Sequence, residues 1–447
     1  MKQLFGTDGI RAVAGRYPLD AETVRVFGRA LARVLMEEKG RAPRVVIGRD
    51  TRASGPWLSE AVAQGLRAGE AASTEAGVLP TPGLAYATRA GGYDAGVMIS
   101  ASHNPFEDNG LKVFGADGMK IPDALEARIE AIILRKGEAA PAAGGDGAVP
   151  DGDLATRYVR ELEGFVAPGR LAGLKLVLDC ANGAAAALAP RVFRDLGAEV
   201  VTIGDAPDGR NINLDCGSLH LDGLAARVTA SGADIGLAFD GDADRCLAVD
   251  RRGRVVDGDH ILFVVGRRLK REGRLPASAV VATVMSNFWL EKRLADLGIA
   301  LHRAPVGDKY VLEAMIAGDI ALGGEQSGHV IFRERSTTGD GMLTGLLLLD
   351  TLRGEADSLE TILDGIVPFP QVLLNVRVRE KPDLRADAAI GPVVREAERE
   401  LAGRGRVVLR YSGTEPLARV MVEADDGKLV RRTAEGIAAA IRERLGA

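Results

Sequence analysis

Three aspartates, Asp240, Asp242 and Asp244, alternate within the stretch Phe239–Asp250, FDGDADRCLAVD. Carboxylates packed this closely repel one another unless a cation sits among them. Hard oxygen ligands suit Mg²⁺, which keeps waters or phosphate oxygens in its remaining positions. A calcium loop of the EF-hand type would need Gly at the sixth position and Glu at the twelfth. Arg245 and Arg251 stand there instead. A solvated acidic turn is the plainer alternative. The loop follows an apolar strand pattern, however, and the ends of such strands are where α/β sites form. A second stretch, Val97–Phe114, reads VMISASHNPFEDNGLKVF. Its apolar run breaks at Ser-Ala-Ser-His-Asn-Pro. Ser102 and Asn104 are turn formers and Pro105 locks the corner; such a turn can also present Ser102 for chemistry. A hydrolase pair of Ser102 with His103 is not expected, because adjacent residues rarely converge as nucleophile and base.

Arg410–Glu423, RYSGTEPLARVMVE, offers hydroxyls and backbone donors from Ser412, Gly413 and Thr414, flanked by Arg410 and Arg419. That inventory suits a phosphate, although a hairpin with surface arginines would look similar. Gly323–His329, GGEQSGH, mimics a nucleotide-binding loop in spacing, but His329 stands where the phosphate-reaching lysine belongs. Glu325, Ser327 and His329 could instead meet sugar hydroxyls. Phe5–Arg11 (FGTDGIR) and Val306–Tyr310 (VGDKY) are further charged, Gly-containing turns. GxSxG, HExxH and GxGxxG are absent from the sequence.

The elements that must position these loops alternate along the chain. Arg44–Gly48 and Ala95–Ile99 read as buried strands and Trp57–Leu66 as a helix between them. The alternation continues through Lys175–Leu178, Val192–Leu196, Val200–Ile203, Leu224–Ala230 and Ile235–Phe239. It resumes at Ala279–Val284, Phe288–Leu297 and Val311–Ile316. Continuous apolar strands separated by helices predict mostly parallel sheets covered on both faces. The tail is patterned differently. Gln371–Arg379, Arg406–Arg410 and Leu417–Glu423 alternate apolar and polar, with helical patterns at Ala388–Leu401 and Leu429–Leu445. The expectation is an α/β protein, with three α/β domains of mixed, mostly parallel sheets plus a C-terminal α+β domain. The boundaries fall at 1–153, 154–253, 254–367 and 368–447. Lys136–Asp153, rich in Ala, Gly and Pro, reads as a connector or surface excursion. No short sequence repeat is visible, so any likeness among the α/β domains must lie in topology.

At 447 residues the chain is too long for one ordinary core. With 46% hydrophobic and 27% charged residues its composition is globular, and a net charge of −5 points to neither a nucleic-acid nor an anionic-membrane partner. Cys180, Cys216 and Cys246 are an odd number without CxxC spacing. They fit a reducing compartment with neither a disulfide framework nor a zinc site. Met1–Asp8 has no apolar core of the kind a secretory signal carries, and the longest apolar runs fall well short of a membrane span. The expected location is the cytoplasm.

Taken together and in order, five of these motifs resemble the α-D-phosphohexomutase superfamily over essentially the whole chain. FGTDGIR opens it, ISASHNP is its phosphoserine loop, DGDADR its metal loop, GGEQSGH its sugar loop and RYSGTEP its phosphate loop. Gly6-Thr7-Asp8 and the GEQSGH form look like the phosphoglucosamine mutase branch. Members acting on mannose and glucose phosphates more often carry a Met in the sugar loop. Ala12 and Tyr411 are small departures that remove no functional side chain.

The resemblance implies four domains around a central cleft and a Ser102 that carries a phosphoryl group. It implies Mg²⁺ held by Ser102, Asp240, Asp242 and Asp244, with Lys112 and Arg245 neutralising the transferring group. Arg11 and His103 are carried over as cleft residues. Glu325, Ser327, His329, Asp308 and Lys309 would bind substrate, and Arg410, Ser412, Gly413, Thr414 and Arg419 the phosphate that is not reacting. The implied activity interconverts glucosamine 6-phosphate and glucosamine 1-phosphate, on the route to UDP-N-acetylglucosamine. Glucosamine 1,6-bisphosphate, or another sugar bisphosphate, would be the intermediate or activator. The implied partner is a small-molecule sugar phosphate rather than nucleic acid or a membrane, and a homodimer stands as an open expectation. Two alternatives remain: a mutase for glucose or mannose phosphate, or a sugar-phosphate sensor without catalysis. The intact serine and three aspartates argue against the sensor.

Overall fold

The computed structural model describes residues 4–6, 8–135, 148–412 and 415–447. They form two compact units. One runs to Thr283 and resumes at His302–Ile362; the other joins Val284–Leu301 to Leu363–Ala447.

The first unit holds three mixed sheets. Sheet one contains β1 (Ile10–Val13), β2 (Arg44–Arg49), β3 (Ala72–Val78), β4 (Ala95–Ile99), β5 (Asp108–Gly115) and β6 (Val149–Pro150), in the order β1-β5-β4-β2-β3-β6. Sheet two contains β7 (Lys175–Asp179), β8 (Glu199–Ile203), β9 (Ile235–Phe239), β10 (Cys246–Asp250) and β11 (Val255–Val256), ordered β11-β10-β9-β7-β8. Sheet three contains β12 (Ala279–Thr283), β13 (Ala300–Ala304), β14 (Leu322–Gly324) and β15 (Val330–Phe332), ordered β13-β12-β14-β15. The likeness expected in topology is visible here. In each sheet the first strand of a repeating set (β2, β7, β12) lies between the second and the third, and the fourth returns antiparallel on the third. The third strand is parallel to the first in all three. Each three-to-four return is a hairpin. Those hairpins carry Ser102, the three aspartates and Glu325, so the three candidate loops are one structural position used three times.

Burial explains the strand composition. Every residue of β4, β9, β12 and β15 is buried, which is why these strands read as unbroken apolar runs. Helices α1 (Ala21–Lys39), α2 (Gly55–Ala68), α3 (Thr81–Ala90) and α4 (Asp123–Ile133) pack around sheet one. The core there joins Phe27, Leu31, Val45, Ile47, Leu58, Val97 and Ile99. Of the Lys136–Asp153 stretch, residues 136–147 lie outside the described residues. Val149–Pro150 is more than a connector, since it pairs parallel to β3 as the sixth strand.

The second unit is built on the antiparallel sheet β16 (Gln371–Arg377), β17 (Gly405–Tyr411) and β18 (Leu417–Ala424), ordered β16-β18-β17. The helices Ile390–Glu400 and Gly427–Leu445 pack against it through Ile390, Val394, Ile437 and Ile441. The exposed alternate residues of β16 give the half-buried face read from the sequence. The helix Phe288–Asp296 groups with this unit.

The three cysteines are free. Burial pushes the Cys216 thiol up to about 12 and the Cys180 and Cys246 thiols further still, so none is a ready thiolate. Among the described residues no helix is long and apolar enough to cross a membrane.

Candidate active site

β4 delivers its chain to Ser100 and then to Ser102, which sits in the left-handed region at φ 53°. A non-glycine residue adopts that conformation only where its surroundings impose it. Ser102 is buried, and its hydroxyl donates to Asp240 Oδ2 at 2.5 Å and lies 3.2 Å from His103 Nδ1. Burial, then the charges of Arg245 and Arg11, lower the His103 imidazole to about 4. His103 is therefore neutral near pH 7.

The acidic loop leaves the end of β9. One carboxylate oxygen from each of Asp240, Asp242 and Asp244 lies within 4.8 Å of the others, and all three residues are buried. Their remaining bonds are unevenly shared. Asp240 also accepts the Arg245 N–H at 3.1 Å. Asp242 Oδ2 accepts from Thr81 Oγ1 at 2.5 Å and from Lys112 Nζ at 2.8 Å. Asp242 Oδ1 and Asp244 Oδ1 are buried without a hydrogen-bond partner. Burial, then the charges of Asp244 and Asp242, push the Asp240 carboxyl well up. Orphaned buried carboxylate oxygens at close range are costly without a cation, and an all-oxygen donor set fits Mg²⁺.

Cations line the same place. Lys112 lies on β5 opposite Met98, within the apolar run Leu111–Phe114, and is 1% exposed. Its Nζ is 2.8 Å from Asp242, 3.2 Å from Asp8 and 3.5 Å from Asp244. Burial works to lower the ammonium; Asp242, Asp8 and Asp244 outweigh it and hold the group well above its usual range. Asp8 also pairs with Arg11 and Lys120. Burial works to raise its carboxyl, but Lys112, Lys120 and Arg11 keep it well below the usual carboxylate range. Lys120 reaches on to Asp308 at 2.8 Å, and Asp308 lies 3.6 Å from His329 Nε2. Alternating charges thus run from sheet one to sheet three.

The third hairpin closes on the second. Gly328 has φ 91°, and a Cβ there would lie 2.5 Å from the Cys246 carbonyl, so only glycine permits the contact. At the hairpin tip, Glu325 Oε1 accepts the Gly307 N–H at 3.1 Å and Oε2 accepts the Ser327 hydroxyl at 3.3 Å. Lys309 is engaged by Asp123 of α4 at 2.6 Å. The structure therefore links Ser102, His103, Lys112, Arg11, Arg245, the three aspartates, Asp308 and His329. Glu325 and Ser327 sit together at the neighbouring tip.

The second unit carries its own polar cluster. Arg410 and Arg419 face each other across β17 and β18. Burial, then Arg419, lower the Arg410 guanidinium. Arg419 Nε is buried without a partner, its Nη2 lies 3.5 Å from Ser412 Oγ, and Lys381 donates to the Ser412 carbonyl at 2.8 Å. Like charges opposed on adjacent strands destabilise the pair; the Glu415 carboxylate, 3.4 Å from Arg419 Nη2, offsets part of this, and an anion between the two arginines would offset it further. Gly413 and Thr414 lie outside the described residues.

Thr81, Asp8 and Lys120 belong to the site without having been singled out by their residue types. Asp8 lies inside the FGTDGIR motif and could have been taken from it. Lys120 carries no local signal, and Thr81 shows only the Pro-Thr-Pro start of a helix.

Known proteins resemble the chain over essentially its whole length. The phosphoglucomutase/phosphomannomutase family models match throughout: alpha/beta/alpha domain I at residues 2–140, domain II at 156–253, domain III at 257–369 and the C-terminal domain at 373–440. A phosphoglucosamine mutase of Solibacter usitatus is 51% identical over 445 residues, covering 100% of this chain and 99% of that protein. A phosphoglucomutase/phosphomannomutase family protein of Burkholderia thailandensis is similar in structure, with TM-score 0.79, 26% identity and full coverage of both chains. The N-acetylphosphoglucosamine mutase of Aspergillus fumigatus, solved with GlcNAc-6P and magnesium, shares the fold at TM-score 0.67 and 18% identity, covering 99% of this chain and 96% of that one.

Proposed function

The chain belongs to the phosphoglucomutase/phosphomannomutase family, and within it to the phosphoglucosamine mutases; from that premise we propose that Ser102 shuttles a phosphoryl group between the 6- and 1-positions of glucosamine phosphate. The observation that carries the reading is the contact of Ser102 Oγ with Asp240, beside two orphaned carboxylate oxygens and the buried Lys112.

In this reading phosphoserine 102 donates to O1 of glucosamine 6-phosphate. The Oγ–P bond breaks, the O1–P bond forms, and glucosamine 1,6-bisphosphate results. After the bisphosphate turns over, its 6-phosphoryl group returns to Ser102 and glucosamine 1-phosphate leaves, to supply the route to UDP-N-acetylglucosamine. Asp240, Asp242, Asp244 and a phosphoserine oxygen would hold Mg²⁺, which would supply charge stabilisation to a transfer that depends on alignment and electrostatics. The Ser102–Asp240 hydrogen bond is available only to the free hydroxyl, so it must open on phosphorylation. Lys112 and Arg245 offset charge on the moving group, and Asp8 and Asp242 keep Lys112 protonated. Glu325 and Ser327, with His329, Asp308 and Lys309, are the proposed sugar contacts. Arg410, Ser412, Gly413, Thr414 and Arg419 are the proposed site for the phosphate at rest.

A coupled assay offering glucosamine, N-acetylglucosamine, glucose and mannose 6-phosphates tests this directly, with intact-mass measurement of phosphate on the protein. Preference for glucosamine 6-phosphate and phosphate on Ser102 are expected. Preference for glucose or mannose phosphate would reassign the substrate, and a protein without phosphate or turnover would be a sensor.

A further inference from the structure

Both backbone groups of Ser102 are held by side chains. Its N–H donates to Ser100 Oγ at 2.9 Å, and that hydroxyl donates to Asp50 Oδ2 at 2.6 Å. Its carbonyl accepts from Arg52 Nη2 at 2.8 Å and from Asn213 Nδ2 at 2.9 Å. The same two nitrogens donate to the Asn104 carbonyl, at 2.8 and 3.1 Å. Two carbonyls of one turn therefore share one pair of donors. Arg52 approaches from the end of β2, and Asn213 from the chain between β8 and β9.

Neither donor is free to wander. The Arg52 side chain is fully buried, ion-paired to the equally buried Asp50 at 2.9 Å, and its Nη1 donates to the Pro105 and Asp108 carbonyls. Asn213 is buried at φ 58°, a conformation asparagine tolerates better than most residues. The acidic loop presses on the same point, since a Cβ on Gly241 would lie 2.6 Å from the Ser102 carbonyl and 2.9 Å from Asn213 Nδ2. A proline-fixed turn does not need a buried guanidinium to form. Burying one is costly unless its donors are all used; here Nε is spent on Asp50 and both Nη atoms on the turn that carries Ser102.

We propose that Arg52 and Asn213 are positioning residues that clamp the Ser102 and Asn104 carbonyls from two sides, and so fix the line along which Ser102 Oγ exchanges a phosphoryl group. The proposal rests on the reading of Ser102 as the carrier. Transfer between oxygens requires them in line, and a displacement of about 1 Å costs on the order of a hundredfold in rate.

Asn213→Asp tests the clamp with little change of shape. It keeps tolerance of positive φ but replaces the donor with an acceptor that repels both carbonyls. Purified phosphoenzyme is mixed with glucosamine 6-phosphate and Mg²⁺, and phosphate loss from the protein is followed by quenched intact-mass measurement. Measured well below the melting temperature, which the buried acceptor should lower by leaving two carbonyls without their donor, the variant is expected to transfer roughly 10- to 100-fold more slowly. Hydrogen–deuterium exchange should accelerate over residues 100–106 and not over β9. A wild-type transfer rate, or wild-type exchange in that segment, overturns the clamp, and a slowdown that only tracks lost thermal stability does too. Should Asn213→Asp fail to fold, Arg52→Lys, which keeps the charge but loses the fork, goes through the same two measurements, and a wild-type result in either overturns the clamp in the same way. If the wild-type protein carries no phosphate or transfers none, the carrier reading fails, and the exchange measurement alone decides the clamp.

Discussion

Thr81 holds Asp242 at two points: its N–H donates to the Asp242 carbonyl at 2.9 Å, and its hydroxyl to the carboxylate Oδ2 at 2.5 Å. Thr81 is the first residue of α3, where the helix leaves N–H groups without internal partners. One of them is used to fasten the acidic loop. With Oδ2 occupied by Thr81 and Lys112, Oδ1 is the oxygen left for a cation.

Thr81→Val removes the hydroxyl at nearly constant volume and should weaken Mg²⁺ binding about 10- to 100-fold, the usual effect of losing a group that orients a metal ligand. Thr81→Ser should restore it. Titration of the protein with Mg²⁺ by calorimetry checks both, and equal affinity in all three proteins would show that Thr81 only caps its helix.

Ser102→Ala should reduce mutase activity by on the order of a thousandfold or more, the scale seen when a nucleophile is removed. Its thermal stability should fall only modestly, by about 1–3 kcal/mol, because Asp240 Oδ2 loses a buried donor. Turnover near the wild-type rate, in a preparation free of wild-type enzyme, would remove Ser102 from the reaction.

Arg419→Ala should raise KM for the monophosphate roughly tenfold to a hundredfold, through loss of a charge-assisted contact of about 1.5–3 kcal/mol. Removing one of two opposed arginines also relieves repulsion. Inorganic phosphate should therefore raise the melting temperature of the wild type and not that of the variant. An equal phosphate shift in both would mean that the loop is only a hairpin.

Asp340 gives a pH signature. It caps the helix Gly341–Arg353, accepting from Leu343 N at 2.9 Å and from Tyr158 OH at 2.9 Å. Burial raises its carboxyl to about 6, although those bonds oppose the rise. With the folded value above the unfolded one, the contribution is full below about pH 4 and is lost as pH rises through 6. Between pH 5 and 7 the wild type should lose about 1 kcal/mol from this group. Asp340→Asn should lose none of it, so urea midpoints at the two pH values should lie closer together in the variant. Parallel pH slopes would show that Asp340 is ionised throughout.

The strands that end at the site were legible because burial on both faces makes them unbroken apolar runs, as in β4 and β9. The three aspartates were legible because their mutual repulsion is itself a local signal. Thr81, Lys120 and Asn213 were not. Their partners Asp242, Asp8 and Ser102 lie 161, 112 and 111 positions away in the chain. A threonine at a helix start or an asparagine in a turn has an ordinary local explanation until the fold supplies the partner. The antiparallel returns β5, β10 and β15 were hidden for a related reason, since a buried strand looks alike in either direction.

The recurrence of one hairpin position in all three sheets makes the active site modular. On the proposed reading, phosphoryl carrier, metal cradle and sugar contact occupy separate copies of the same scaffold, each anchored by its own pair of strands. If that reading holds, substitutions at the tip of the third copy should retune which hexose is accepted while the first two copies keep their chemistry. A scaffold of this kind would let substrate choice change while the reaction is kept, and the proposed reading makes Glu325–His329 the segment to exchange when specificity is to be redesigned.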